Sequence, residues 1–270
     1  MSQEEAQNSP KSWTVEPALK FVLKIYLYWL LTCVCLGVIT VIFVVIFALT
    51  VGLDEFGHTG SRDAAFCKNN LKQFGLAMHN YLAVNGTFPP AYTVDANGRK
   101  MHSWRALLLP YFEAGSIQRE LDIKYDYTQP WDSPHNQQLA NKMPTVFRCP
   151  KNRKDTPNTT SYVAIVGNQT LWPFDRGRPV QEIQDGLTNT IAIVEITGAD
   201  IPWLEPRDLP FDELTFRLND PAGNDPSSKH GRIVQVLMAV GSARELSDEM
   251  SPAELRALLT VDGDEEAEPK

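Results

Sequence analysis

The sequence predicts an α+β protein carried behind a single N-terminal transmembrane helix, and three observations lead there. Residues 25–53 hold no charge over twenty-nine positions. Ala64, Cys67, Leu71, Phe74, Met78 and Leu82 then recur at spacings of three and four, which lays one apolar stripe on a helix. Short β-branched runs at 161–166, 190–196 and 232–240 read as strands of an antiparallel sheet against which that amphipathic helix packs.

The apolar run is the element with the least ambiguity. At about 1.5 Å per residue it reaches roughly 44 Å, more than the ~30 Å hydrocarbon core of a bilayer, so it spans with tilt to spare. Tyr26, Tyr28 and Trp29 cluster at its entry, where amphipathic rings favour the headgroup level. Lys20 and Lys24 sit at one edge while Asp54 and Glu55 abut the other, which places the N-terminus in the cytoplasm and the body outside. The run is about twice as long as the apolar region of a secretory signal, and no small-x-small cleavage site follows it. Residues 1–24 then form a short cytoplasmic tail, 25–53 the span, and 54–60 a glycine-containing linker. The extracytoplasmic domain covers 61–260, and 261–270 form an acidic tail.

Gly52, Gly57 and Gly60 are expected to break the helix, each lowering helix stability by about 1 kcal/mol relative to alanine. A new helix is expected from Ser61 as N-cap to Ala83, stopping at Asn85-Gly86 ahead of Pro89-Pro90. Further on, Asp95-Ala96-Asn97-Gly98 signals a turn between strands 91–94 and 100–104. Helical spacing covers 103–112, and Ser133-Pro134 opens a helix to Asn141. A strand is expected at 145–148. Residues 198–230 read as an irregular connection, and Ser251-Pro-Ala-Glu254 has capping-box spacing before a last short helix.

Charge excludes one class of partner. Residues 54–244 carry 20 basic and 21 acidic side chains, and the net charge of −8 is concentrated as −7 over 245–270. A nearly neutral body with an acidic end offers no basic patch for nucleic acid phosphates.

Of the four cysteines, Cys33 and Cys35 lie in the span, and Cys67 and Cys149 in the body. No Cys-x-x-Cys spacing is present, and an extracytoplasmic location permits a disulfide between Cys67 and Cys149, the alternative being two free buried thiols. Closing so long a loop contributes about 4 kcal/mol in the chain-entropy treatment.

Motifs for phosphate cradling, dinucleotides, zinc proteases, nucleophile elbows and EF-hands are missing, which lowers the expectation of an enzyme, and no cofactor or metal is assigned. His230 near Asp220 and Asp225 is the best general-base candidate of a hydrolase reading. The Asp-rich stretch 208–225 is a weak calcium candidate. Trp104, Trp131, Trp172 and Trp203 offer either an aromatic platform for a glycan or solute, or anchors that tie loops to the core. His79, flanking the apolar stripe, reads as a surface or packing residue rather than a ligand.

Several stretches carry a resemblance in order along the chain. They are Cys67-Lys-Asn-Asn-Leu-Lys-Gln-Phe-Gly-Leu-Ala-Met-His-Asn-Tyr81, Phe88-Pro-Pro, Ser103-Trp-Arg-Ala, Pro130-Trp-Asp-Ser-Pro-His-Asn, Phe147-Arg-Cys-Pro and Asp185-Gly-Leu-Thr-Asn-Thr-Ile. From about 62 to 260 the chain resembles a large bacterial family of prepilin-like envelope proteins of unknown function. Its C-terminal signature, His followed after nine residues by Asp-Gly, is approached at His230 and Gly241, with Val240 where the family has Asp. The family's processed Gly-Phe-Thr-Leu-x-Glu segment is missing ahead of the span. The resemblance implies a pilin-like ectodomain on the bacterial inner membrane, acting as a non-catalytic interaction or structural protein related to pseudopilins. Its partners would be the lipid bilayer, through 25–53, and an unidentified envelope protein.

Overall fold

A computed structural model describes residues 16–113, 116–152, 156–221 and 224–263, with first-helix side chains described at 20–46 and from 62 onward. Of the tail expected at 1–24, residues 1–15 lie outside the described residues and 16–24 are helical, and of the acidic tail expected at 261–270, residues 264–270 lie outside them. The chain divides into two compact units, Met1–His58 and Thr59–Lys270.

Helix α1 is assigned over Glu16–Asn85, so its backbone is helical through 54–60, where the glycines predict a linker, and Ser61 is interior rather than an N-cap. Glycine permits helix at a modest cost, and elongating an existing helix needs no new nucleus. In the first unit, Lys20–Ile46 is long and apolar enough to cross a membrane, as an anchor or a signal sequence would be, and none of it is buried against protein.

In the second unit the amphipathic stripe does what its spacing predicts. Cys67, Leu71, Phe74, Ala77 and Met78 are all buried to within 1 %, and burying a Leu, Phe or Met side chain stabilises by about 1.5–3 kcal/mol. Phe74 is the hub, with edge contacts to Trp104, Phe112, Phe147 and Tyr162 at ring separations of 5.2–5.8 Å. The helix ends where Gly86, at φ +76, turns back so that its N–H donates to the Leu82 carbonyl.

The stripe faces a four-stranded antiparallel sheet of order β3-β5-β7-β8, made of Tyr162–Val163, Ile191–Glu195, Ile233–Met238 and Ala243–Ser247. Alternation along β7 divides the core in two. Leu237 joins the cluster around Phe74, while Val234, Val236 and Met238 point to a second cluster with Leu255 and Leu259 of the last helix, α5 (Pro252–Leu259). Smaller elements fill the long connections. A hairpin of β1 (Tyr92–Val94) and β2 (Lys100–Ser103) leads into α2 (Trp104–Leu107), followed by α3 (Ile117–Lys124) and α4 (Pro134–Ala140). A short parallel pair joins β4 (Ile165–Val166) to β6 (Leu209–Pro210).

Mixed helix and antiparallel sheet is therefore the architecture, with three local departures from expectation. Thr145–Phe147 is a 3-10 turn instead of a strand, because Pro144 and Pro150 bracket it and deny it a ladder. Helix α3 and strand β8 were not expected; both are short and largely polar, so neither shows a strong apolar period. The tryptophans take the core-anchoring alternative: Trp104, Trp172 and Trp203 are at most 1 % exposed, and Trp131 packs partly buried against the same cluster.

Candidate functional site

Four chemistry-bearing side chains from distant parts of the sequence converge in the second unit. Cys67 comes from the apolar stripe of α1. Cys149 follows the 3-10 turn at 145–147, whose Phe147 carbonyl accepts from the Ser161 N–H and the Thr160 hydroxyl. Asn70, one turn beyond Cys67, donates to the Arg148 carbonyl at 3.2 Å and to the Tyr162 hydroxyl at 3.3 Å, which ties helix, turn and sheet together. Glu195 ends β5 directly across from Tyr162 of β3. His230 arrives on the loop before β7, its N–H held by the Ser228 hydroxyl, and Gly231, at φ +78, turns the chain after it.

The distances are short. The sulfurs of Cys67 and Cys149 stand 2.6 Å apart, and His230 Nε2 lies 3.2 Å from each. Glu195 Oε1 lies 3.8 Å from the Cys67 sulfur and 3.7 Å from His230 Nε2. All four ligating atoms fall within 4.8 Å of one another. Both cysteines and Glu195 are wholly buried, and the His230 side chain is 3 % exposed.

Electrostatics follow from this crowding. The contact with the Cys149 sulfur lowers the Cys67 thiol against the opposing effect of burial, with His230 adding to the drop. Cys149 moves up, because of its contact with the Cys67 sulfur, its burial and the nearby Glu195. Burial raises Glu195 to about 7, assisted by the charge of Cys67. At His230 burial opposes the proton, but the hydrogen bond to Cys67 and the charge of Glu195 outweigh it and raise the imidazole. Among the described residues, Glu195 Oε2 is buried without a hydrogen-bond partner.

The sequence-derived candidates sort unevenly against this picture. Cys67 and Cys149, the expected bridge, are brought together. His230 is brought to the thiols rather than to the aspartates first considered with it. Asp225 is instead buried and accepts from Thr215 N–H and hydroxyl and from Phe216 N–H. Asp208, also from the stretch considered for calcium, is engaged by Arg105 at 2.7 Å, Trp104 Nε1 at 3.1 Å and Ala164 N–H at 2.9 Å. The tryptophans are structural: Trp172 Nε1 donates to the Ala192 carbonyl and Trp203 Nε1 to the Ala140 carbonyl. His79 likewise packs, its Nε2 2.9 Å from the Ala239 carbonyl.

Glu195 is the residue that sequence reasoning missed. A signal was present: it is the one charge in the run Ile191–Ile196, and a carboxylate ending a fully buried strand needs a reason to be there.

No curated protein and no solved structure matches this chain. Over residues 62–178, which include Cys67 and Cys149, the chain is similar to an uncharacterised bacterial family described as "Protein of unknown function (DUF1559)".

Proposed function

We propose that this chain is a single-span envelope protein. Residues 25–53 tether it to the bacterial inner membrane with the N-terminus in the cytoplasm, and the α+β unit is a pilin-like extracytoplasmic module that works through non-catalytic contacts with another envelope protein. The observation that carries the reading is the helix at Lys20–Ile46, whose apolar side chains are all exposed. So large an apolar surface requires a cover, and a bilayer provides one of matching length.

The non-catalytic part draws support from the candidate residues themselves. Three of the four tryptophans are core residues, and the His230 side chain packs against two thiols and a carboxylate. Alkaline carbonate extraction tests the tether, the expected result being full-length chain that stays with the membrane pellet. A periplasmic reporter fused after residue 244 is expected to be active. Release by carbonate, or a silent reporter, overturns the reading.

A further inference from the structure

Two sulfurs, an imidazole nitrogen and a carboxylate oxygen meeting at one buried point is more than a disulfide needs. A bridge between Cys67 and Cys149 accounts for two of the four residues. It leaves Glu195 as a wholly buried carboxylate whose Oε1 has the His230 imidazole 3.7 Å away and whose Oε2 has no hydrogen bond, and it does not account for His230 facing both sulfurs at once. Burying a carboxylate without a compensating partner is strongly unfavourable. A cation at the common point of these atoms accounts for all four.

We propose that Cys67, Cys149, Glu195 and His230 form a four-ligand site for zinc. The donor set decides the class of metal: thiolate and imidazole favour zinc over calcium or magnesium, which take oxygen ligands. Four of the six edges lie close to the lengths this requires. Ligands at about 2.0–2.3 Å in tetrahedral geometry stand about 3.3–3.8 Å from one another. The edges from His230 Nε2 to the sulfurs are 3.2 Å, and those from Glu195 Oε1 to Cys67 and His230 are 3.8 and 3.7 Å. The sulfur pair, at 2.6 Å, must open by about 1 Å to reach a tetrahedral edge. Binding displaces the remaining thiol protons to solvent, so the metal is held by two thiolates, a carboxylate and a neutral imidazole.

Four protein ligands leave no open position, the arrangement of a structural rather than a catalytic zinc. Its mechanical effect is legible in the fold. The ligands come from α1, from the turn at 149, from the end of β5 and from the loop before β7, so one ion fastens the helix, two loops and the sheet together. Entry is available because His230 lines a cleft of about 510 Å³ and Cys149 lines another of about 350 Å³.

The test uses the full-length chain, extracted in mild detergent without oxygen and kept reduced with a phosphine. The reduced chain is expected to bind about one equivalent of zinc by elemental analysis. Cobalt in its place is expected to give a thiolate-to-metal charge-transfer band and the intense visible bands of a tetrahedral site. Glu195→Gln, which keeps shape and volume, is expected to weaken zinc binding at least as much as the about 10–100-fold seen for losing a mere supporting residue of a metal site, and His230→Ala further. Zinc is also expected to raise the unfolding temperature of the wild-type chain and not of the variants. A reduced, folded wild-type chain that takes up neither ion, or that binds cobalt without a thiolate band, overturns the proposal and leaves the disulfide as the role of the two cysteines. None of these readouts depends on whether the tether spans a membrane.

Discussion

Gly75 and Gly241 meet backbone against backbone: a Cβ placed on Gly75 would lie 2.8 Å from the Gly241 carbonyl oxygen and 2.9 Å from its Cα. Gly75 lies on the stripe face of α1, and Gly241, at φ +90, makes the turn between β7 and β8. The contact is closer than any side chain allows, so it fixes how near the helix sits to that end of the sheet.

Gly75→Ala is therefore expected to destabilise the protein, although alanine is the better helix former. The propensity gain is about 1 kcal/mol, whereas forcing an atom into a packed contact with rigid backbone costs about 1–3 kcal/mol. Chemical denaturation should show a lower midpoint with an unchanged slope. A rise in the midpoint would mean that the helix can move off the turn without penalty.

Arg105 and Asp208 form an ion pair at 2.7 Å with side chains 0 % and 1 % exposed. Arg105 also donates to the Trp203, Glu205 and Arg207 carbonyls, so one guanidinium organises the whole 203–208 loop. Removing one partner of such a pair costs about 3–5 kcal/mol, because the other charge is left buried. Asp208→Asn and Arg105→Met should each lose stability in that range, and the double variant should lose much less than the two combined. Additive losses in a double-mutant cycle would refute the coupling.

His102 is buried between Tyr125 and Tyr127, with Nδ1 2.9 Å from the Tyr125 hydroxyl and Nε2 3.0 Å from the Tyr127 carbonyl. Burial lowers its pKa, only partly offset by the Tyr127 carbonyl and the charge of Asp126. The unfolded chain then binds the proton more readily than the folded one. The stability from keeping this ring neutral is complete above the ordinary histidine pKa of about 6.5 and is lost as pH falls toward the lowered value. Unfolding midpoints measured from pH 7.5 to 5 should fall more steeply for wild type than for His102→Gln, and the difference between the two curves isolates this residue from other titrating groups. Parallel curves would remove His102 as the cause.

The Ser251 hydroxyl accepts from the Glu254 N–H at 3.2 Å while Glu254 Oε2 accepts from the Ser251 N–H at 3.0 Å, a closed capping box at the start of α5. Ser251→Ala should cost about 1 kcal/mol, a shift of roughly 2–4 °C for a domain of this size. An unchanged midpoint would show that packing of Leu255 and Leu259 alone holds the helix.

What could be read from the sequence was whatever repeats at short range. The apolar run at 25–53, the stripe from Ala64 to Leu82, the turn at Asp95–Gly98 and the box at Ser251–Glu254 each declare themselves within a few residues, because helix and turn chemistry is local. At 52–60 the glycines predict a break from a local penalty alone; the assigned helix runs through them, while the division into two compact units falls between His58 and Thr59. The site escaped as a site because nothing local joins its members, although Glu195 stands as the one charge in the run Ile191–Ile196. Cys67, Cys149, Glu195 and His230 are spread over more than one hundred and sixty positions, and each alone has an ordinary explanation as a core thiol, a strand-end acid or a loop histidine. Only the packing of α1 on the sheet, with β5 and the loop ahead of β7 beside it, set their side chains within reach of one another. Residue types and spans were determined by the sequence; that three separated donors share one buried point with His230, and that Glu195 lies there with an oxygen unpaired, was decided by tertiary structure, since proximity across the chain is a property of packing alone.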